Sequence, residues 1–184
     1  MRASLSAAAA DESVQAASGA GIVSPERASP AQLISFAIGE EHFGVDIMAV
    51  REIKGWTEIT SLPNQPVYVR GVLNLRGVVV PIVDLRCRFG QGRTEASPLH
   101  IVIIVQIAEK PVGLLADRVL DIVALDTAQI RPVPRVAGSQ RAGYLSGLVT
   151  TEETMIALID LPNLLCSRPG EGDDQPGEMV AALP

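Results

Sequence analysis

Apolar residues recur along this chain in short runs and not in long helical periods. "QLISFAI", "GVLNL", "VVVPIVDL", "LHIVIIVQI", "PVGLLAD" and "TMIALIDL" are rich in Val, Ile and Leu and are punctuated by "GEE", "LPNQP", "GQG" and "AEKP". That alternation of β-branched runs with turn-forming clusters predicts strands and turns, a mainly β protein. Helical signals are few and short. Asp46 is placed to cap a turn through "IMAV", Thr127 to cap "AQI", and Leu161 to Cys166 to form a terminal helix with Pro162 in its first turn. Residues 1–30 are Ala, Ser, Gly and Pro with scattered charge and no period, which predicts a disordered leader; residues 168–184 predict a flexible tail.

The core also matches itself. A shift of 69 residues lays "AIGEEHFGVDIMAVREI" over "QIAEKPVGLLADRVLDI", with Ile38 on Ile107, Gly44 on Gly113 and Ile53 on Ile122. A shift of 76 lays "GVLNLRGVVVPIVDL" over "GLVTTEETMIALIDL" without a gap. Two similar β subdomains are expected, divided at roughly 31–95 and 96–167. At the matching hairpin tips the first copy has "NLRG" and the second "TTEE", so Arg76 stands where the other copy has Glu152. A turn accounts for a glycine such as Gly77, and Gly71 is taken as a second structural turn position, but a turn does not account for the arginine.

Composition narrows the function. Hydrophobic residues make up 47% of the 184 but aromatics only 3%, so the core is aliphatic and no stacking surface for nucleic acid is expected. A formal net charge of −6 argues the same way. Arg70, Arg76, Arg86, Arg88 and Arg93 form a local basic stripe, read either as solvated strand-edge charge or as a contact for an acidic partner. Cys87 and Cys166 are far apart and in no CxxC pair, so neither a disulfide framework nor a zinc site is indicated, and a reducing compartment is expected. No apolar span is long enough to cross a bilayer, so no direct membrane insertion is expected.

No catalytic constellation emerges. His42 and His100 lack HxxxH spacing and read as solvent-facing or edge residues. There is no Walker loop, no GxGxxG after a strand, and "YLSGL" lacks the first glycine of a nucleophile elbow. No cofactor or metal is expected, and a binding module is favoured over an enzyme. In an extended "VREI", Val50 and Glu52 share one face and Arg51 and Ile53 the other, which makes Ile53 core and leaves Val50 and Glu52 as candidate docking residues with Arg76.

"FGVDIMAVREIKGW", "VRGVLNLRGVVVPIVDLR", "VGLLADRVLDIVALDTAQIRPVP" and "YLSGL", in this order, resemble the CheW family, the coupling proteins of bacterial chemotaxis, over about residues 32 to 166. The resemblance implies two SH3-like five-stranded β-barrels, intertwined within residues 31–167 and packed around a shared apolar core. It implies no catalysis and no cofactor. The implied partners are the cytoplasmic tip of methyl-accepting chemoreceptors and the regulatory domain of a chemotaxis histidine kinase, which places the chain in the cytoplasm within receptor arrays. By similarity, Ile47, Val50, Glu52, Arg76 and Val79 would meet the receptor in a groove between the barrels, and Arg131 and Val136 would meet the kinase. An adaptor of the same fold in a non-motility pathway, and a β-barrel enzyme or small-ligand binder, are the alternative readings.

Overall fold

The β-branched runs become strands wherever their side chains have a face to bury. The computed structural model describes residues 31–134, 141–151 and 154–165, so the expected leader and tail, Val136, Glu152 and Cys166 lie outside the described residues. Strands β1 (Ala31–Ile38), β2 (Glu41–Asp46), β8 (Arg118–Leu125), β9 (Leu145–Thr150) and β10 (Met155–Ile159) form one five-stranded sheet, ordered β8-β1-β2-β10-β9. Strands β3 (Val50–Gly55), β4 (Val69–Leu75), β5 (Val78–Asp84), β6 (Ile101–Ile107) and β7 (Lys110–Ala116) form the other, ordered β3-β6-β7-β5-β4. Short helices α1 (Leu85–Arg88) and α2 (Leu161–Leu165) follow β5 and β10.

The internal repeat is present element by element. Strands β1 to β3 correspond to β6 to β8, and β4, β5 and α1 to β9, β10 and α2. Even single bonds recur: Asp84 N–H donates to the Tyr68 carbonyl and Asp160 N–H to the Tyr144 carbonyl, both at 2.8 Å. The two matching glycines sit in the two parallel strand pairs, Gly113 beside Ile82 and Gly44 beside Leu158. A Cβ on either would press on the same kind of neighbour, the aliphatic side chains filling a barrel.

The barrels do not coincide with the repeats, so the division at 95/96 is corrected. The first two strands of each repeat pair with the last three of the other, so β3 to β7 make one contiguous barrel while β1 and β2 join β8 to β10. The physical cause is a pair of crossings. A 3-10 turn at Ile47–Ala49 leads from β2 in one sheet to β3 in the other, and Asp117 separates β7 from β8 on the way back. Similarity between segments reports like shapes but is blind to which sheet completes each strand's hydrogen bonds.

Three apolar clusters follow. Leu73, Val80, Ile82, Val102, Ile104 and Leu115 fill the contiguous barrel, and Leu33, Leu125, Val149, Ile156 and Leu158 fill the other. Between them Phe36, Phe43, Leu85, Phe89, Ile103, Val105, Leu114, Tyr144 and Leu164 build a shared core from both sheets. Strand β6 shows why "IVIIV" has no polar alternation: Val102 and Ile104 face the barrel core while Ile103 and Val105 face the shared one.

Local expectations fare unevenly. Asp46 caps the 3-10 turn, its carboxylate accepting from Met48 N–H at 2.9 Å. At the second 3-10 turn the cap is Asp126 and not Thr127, one residue earlier, because the Asp126 carboxylate reaches Ala128 N–H at 3.0 Å. Helix α1, absent from the sequence reading, starts on the same device, Asp84 accepting from Cys87 N–H. Gly71 is not in a turn: it lies inside β4 beside a bulge at φ +143, where a Cβ would collide with the Thr60 carbonyl oxygen.

The basic stripe is corrected too, because three of its arginines are tied inward. Arg70 donates to the Thr94 carbonyl and pairs with buried Asp84, and Arg86 pairs with Asp117 at 2.6 Å. Arg88 is buried, its guanidinium 4.1 Å and 4.3 Å from the ring centres of Tyr68 and Tyr144, and it donates to the Leu164 carbonyl. His100 is likewise half-buried and bonded, not free at an edge.

Candidate functional site

Strands β5 and β7 run parallel, so the β4–β5 and β6–β7 hairpin tips emerge at the same end of their barrel. The first tip is Arg76-Gly77, closed between paired Leu75 and Val78. Both tip residues have positive φ, +50 and +91, the combination a tight two-residue hairpin turn demands. Asn74 supports it by accepting from Gly77 N–H at 2.8 Å through its side-chain oxygen. The "NLRG" of the sequence is therefore a hydrogen-bonded turn whose exposed arginine points from a backbone conformation that glycine or asparagine would adopt more easily.

Arg76 lines a concavity of ≈ 490 Å³ with Arg51, Glu52, Gln106 and Glu109 on its rim and Val78, Val80, Ile104 and Pro111 among its apolar lining. Glu52 and Arg76 thus share one site, although no ion pair joins them among the described residues. A second concavity, of ≈ 460 Å³, lies between the barrels against Asp46, Ala49, Ala108, Ser146, Leu161 and Pro162, and Gln106 borders both.

The remaining candidates are placed less uniformly. Ile47 and Val50 are half-buried against the shared core beside the crossing between sheets, so each offers only part of its side chain. Val79 is 62% exposed but alternates with Val78 and Val80, and so faces away from the concavity those two line. Ile53, expected in the core, is 40% exposed. Strand β3 is a sheet edge with a bulge between Val50 and Glu52, which breaks the strict alternation on which that expectation rested. Arg131 is exposed, but its backbone is fixed to β9 by two 2.8 Å bonds with Leu148. Arg51, Gln106 and Glu109 were not singled out from sequence. The available signal was a two-residue "AE" turn between two apolar strands.

One group of side chains has the order of a catalytic constellation. Ser97 Oγ lies 3.0 Å from His100 Nδ1, and Asp117 Oδ1 lies 3.6 Å from Nε2, a sequence of groups found in hydrolases. Here Nδ1 also accepts the backbone N–H of Ser97, while Asp117 is held by Arg86 and by Gly39 N–H. None of the three lines either concavity, and the cluster locks a loop. Burial and the neighbouring Asp84 carboxylate push the Cys87 thiol up, so it is kept protonated and poorly nucleophilic. Among the described residues no group of three or more His, Cys, Asp or Glu is arranged to hold a metal, and no helix is long and apolar enough to cross a membrane.

Comparison with known proteins agrees with this architecture. Residues 32–168 match the model of the CheW-like domain. The chain is 41% identical over 140 residues to a chemotaxis protein CheW of Rhizobium meliloti, covering 76% of this chain and 90% of that one. It is 39% identical over 136 residues to a chemotaxis protein CheW of Klebsiella aerogenes, covering 74% and 82%. Among solved structures, the scaffolding protein TtCheW from Thermoanaerobacter tengcongensis superposes with a TM-score of 0.70 at 32% identity, covering 78% of this chain and 92% of that one. With both five-stranded sheets, the shared core and these relatives in agreement, the chain belongs to the CheW-like family.

Proposed function

We propose that this chain is a non-catalytic adaptor that couples the cytoplasmic tips of chemoreceptors to the regulatory domain of a chemotaxis histidine kinase, acting on the cytoplasmic side within a signalling array. The observation that carries the reading is the separation of the two candidate surfaces. Glu52 and Arg76 open on the contiguous barrel, while Arg131 is fixed on the edge of the other. Two partners therefore have room on one chain at once, which a coupling protein needs. Partly exposed Ile47 and Val50 would supply apolar contact for a helical receptor tip, with the charged neighbours setting its register.

The test is reconstitution of kinase, receptor-bearing membranes and this protein. Autophosphorylation should respond to receptor only when the protein is added, and the protein alone should show no turnover. Arg76→Ala should weaken receptor retention while leaving kinase binding intact, and Arg131→Ala the reverse. Equal loss of both partners by both variants, with folding intact, would contradict a two-surface adaptor.

A further inference from the structure

The turn between β6 and β7 is unusual for its residue types. Ala108 and Glu109 both have positive φ, +45 and +66, with neither glycine nor asparagine to relieve the strain. The corresponding hairpin between β1 and β2 places Gly39 at the first of these positions, at φ +59. A costly backbone is thus kept on one barrel and relieved on the other. The strained tip is also the ridge between the two concavities: Glu109 lines the one containing Arg76, and Ala108 lines the one between the barrels.

Charge is the second observation. Arg51, Glu52, Arg76 and Glu109 surround a single concavity, yet none of them takes part in an ion pair among the described residues. Some surface charges elsewhere are paired, as in Arg141 with Glu41 and Arg86 with Asp117, and others such as Lys54, Glu58 and Arg118 are not paired among the described residues; what sets these four apart is that they border one concavity. Two unpaired charges of opposite sign therefore stand on neighbouring parallel-strand tips above an apolar floor of Val78, Val80, Ile104 and Pro111.

We propose that Glu109 is a specificity-determining residue of the docking surface: with Arg76 it fixes the direction of a docked amphipathic helix by taking a basic side chain of that helix while Arg76 takes an acidic one. The inference rests on the receptor-coupling reading above and names the chemistry of the partner at that site. An apolar floor alone would hold the helix in either direction. Opposite charges on the two tips make one direction attractive and the reverse repulsive.

The test measures binding of the full chain to a chemoreceptor cytoplasmic-tip helical hairpin at low and high salt. The variants are Glu109→Arg, Glu109→Asn, Arg76→Glu and the double reversal, each with its unfolding midpoint. Glu109→Arg should weaken binding roughly five- to tenfold at low salt, with the loss shrinking as salt rises. Glu109→Asn should weaken it less while leaving the midpoint unchanged or higher, because asparagine tolerates the left-handed turn. The double reversal should regain binding relative to either single reversal, with the helix docked the other way round, which a cross-linker placed at one end of the docked helix reads. Unaltered affinity in Glu109→Arg alongside a loss in Arg76→Glu would overturn this inference alone. A double reversal that stays as weak as Glu109→Arg, or that recovers with the helix in its original direction, would also overturn it, the latter by showing that the two residues answer only to each other. Failure of the unaltered chain to bind the hairpin would overturn both this inference and the receptor reading.

Discussion

Gly71 and Gly77 both have positive φ, but for different reasons. At Gly77 nothing lies within 4 Å of a built Cβ, so the only cost of Gly77→Val is the backbone at φ +91, about 1–3 kcal/mol. At Gly71 the Thr60 carbonyl occupies the place of the Cβ, so even Gly71→Ala must break the contact between the Thr60 loop and β4. Denaturant unfolding should therefore rank Gly71→Ala as the more damaging change, although alanine is the smaller side chain. The opposite ranking would mean that the Thr60 loop moves aside cheaply. Arg76, at φ +50, should lose little stability on replacement by asparagine, so a binding defect in Arg76→Asn would report the surface and not the fold.

Between elements, Arg88 is the residue to disturb. It leaves α1, sits between Tyr68 and Tyr144, which the repeat makes equivalent, and donates to the carbonyl of Leu164 in α2. Its planar cation fits between two rings and satisfies a buried carbonyl in one arrangement. Arg88→Ala should cost roughly 3–5 kcal/mol, since it removes a packed side chain and leaves that carbonyl without this donor. Arg88→Lys should recover only part, because a compact ammonium cannot stack on both rings. Chemical denaturation of the two variants checks this, and full recovery by lysine would show that charge alone matters there.

At the scale of the molecule, the exchange of strands between repeats ties the barrels into one cooperative unit. The contiguous barrel, residues 50–116, presents Ile103, Val105, Val112 and Leu114 to a core that the other sheet completes. Calorimetry of the whole chain should give a single transition with equal calorimetric and van't Hoff enthalpies. A fragment spanning residues 50–117 should lack a cooperative transition, since it exposes that face to water. Two separable transitions in the whole chain would show that the shared core couples the barrels weakly.

What the sequence determined by itself is what local chemistry controls. The β-branched runs became strands, Asp46 became a cap, and "NLRG" became a turn because glycine permits a conformation few other residues reach. The repeat was legible because equivalent positions such as Gly44 and Gly113 face equivalent walls. Tertiary structure decided the rest. Which sheet each strand joins depends on long-range pairing, so no segment of the chain encodes that β1 and β2 complete the second repeat's barrel. The exposure of Ile53 depends on a bulge and a sheet edge, the inward turn of Arg88 on two tyrosines distant in sequence, and the joining of Glu52, Arg76 and Glu109 on the start of β3 and two hairpin tips brought to one barrel end. Each is a relation between distant residues, and a run of neighbouring side chains carries no physical record of it.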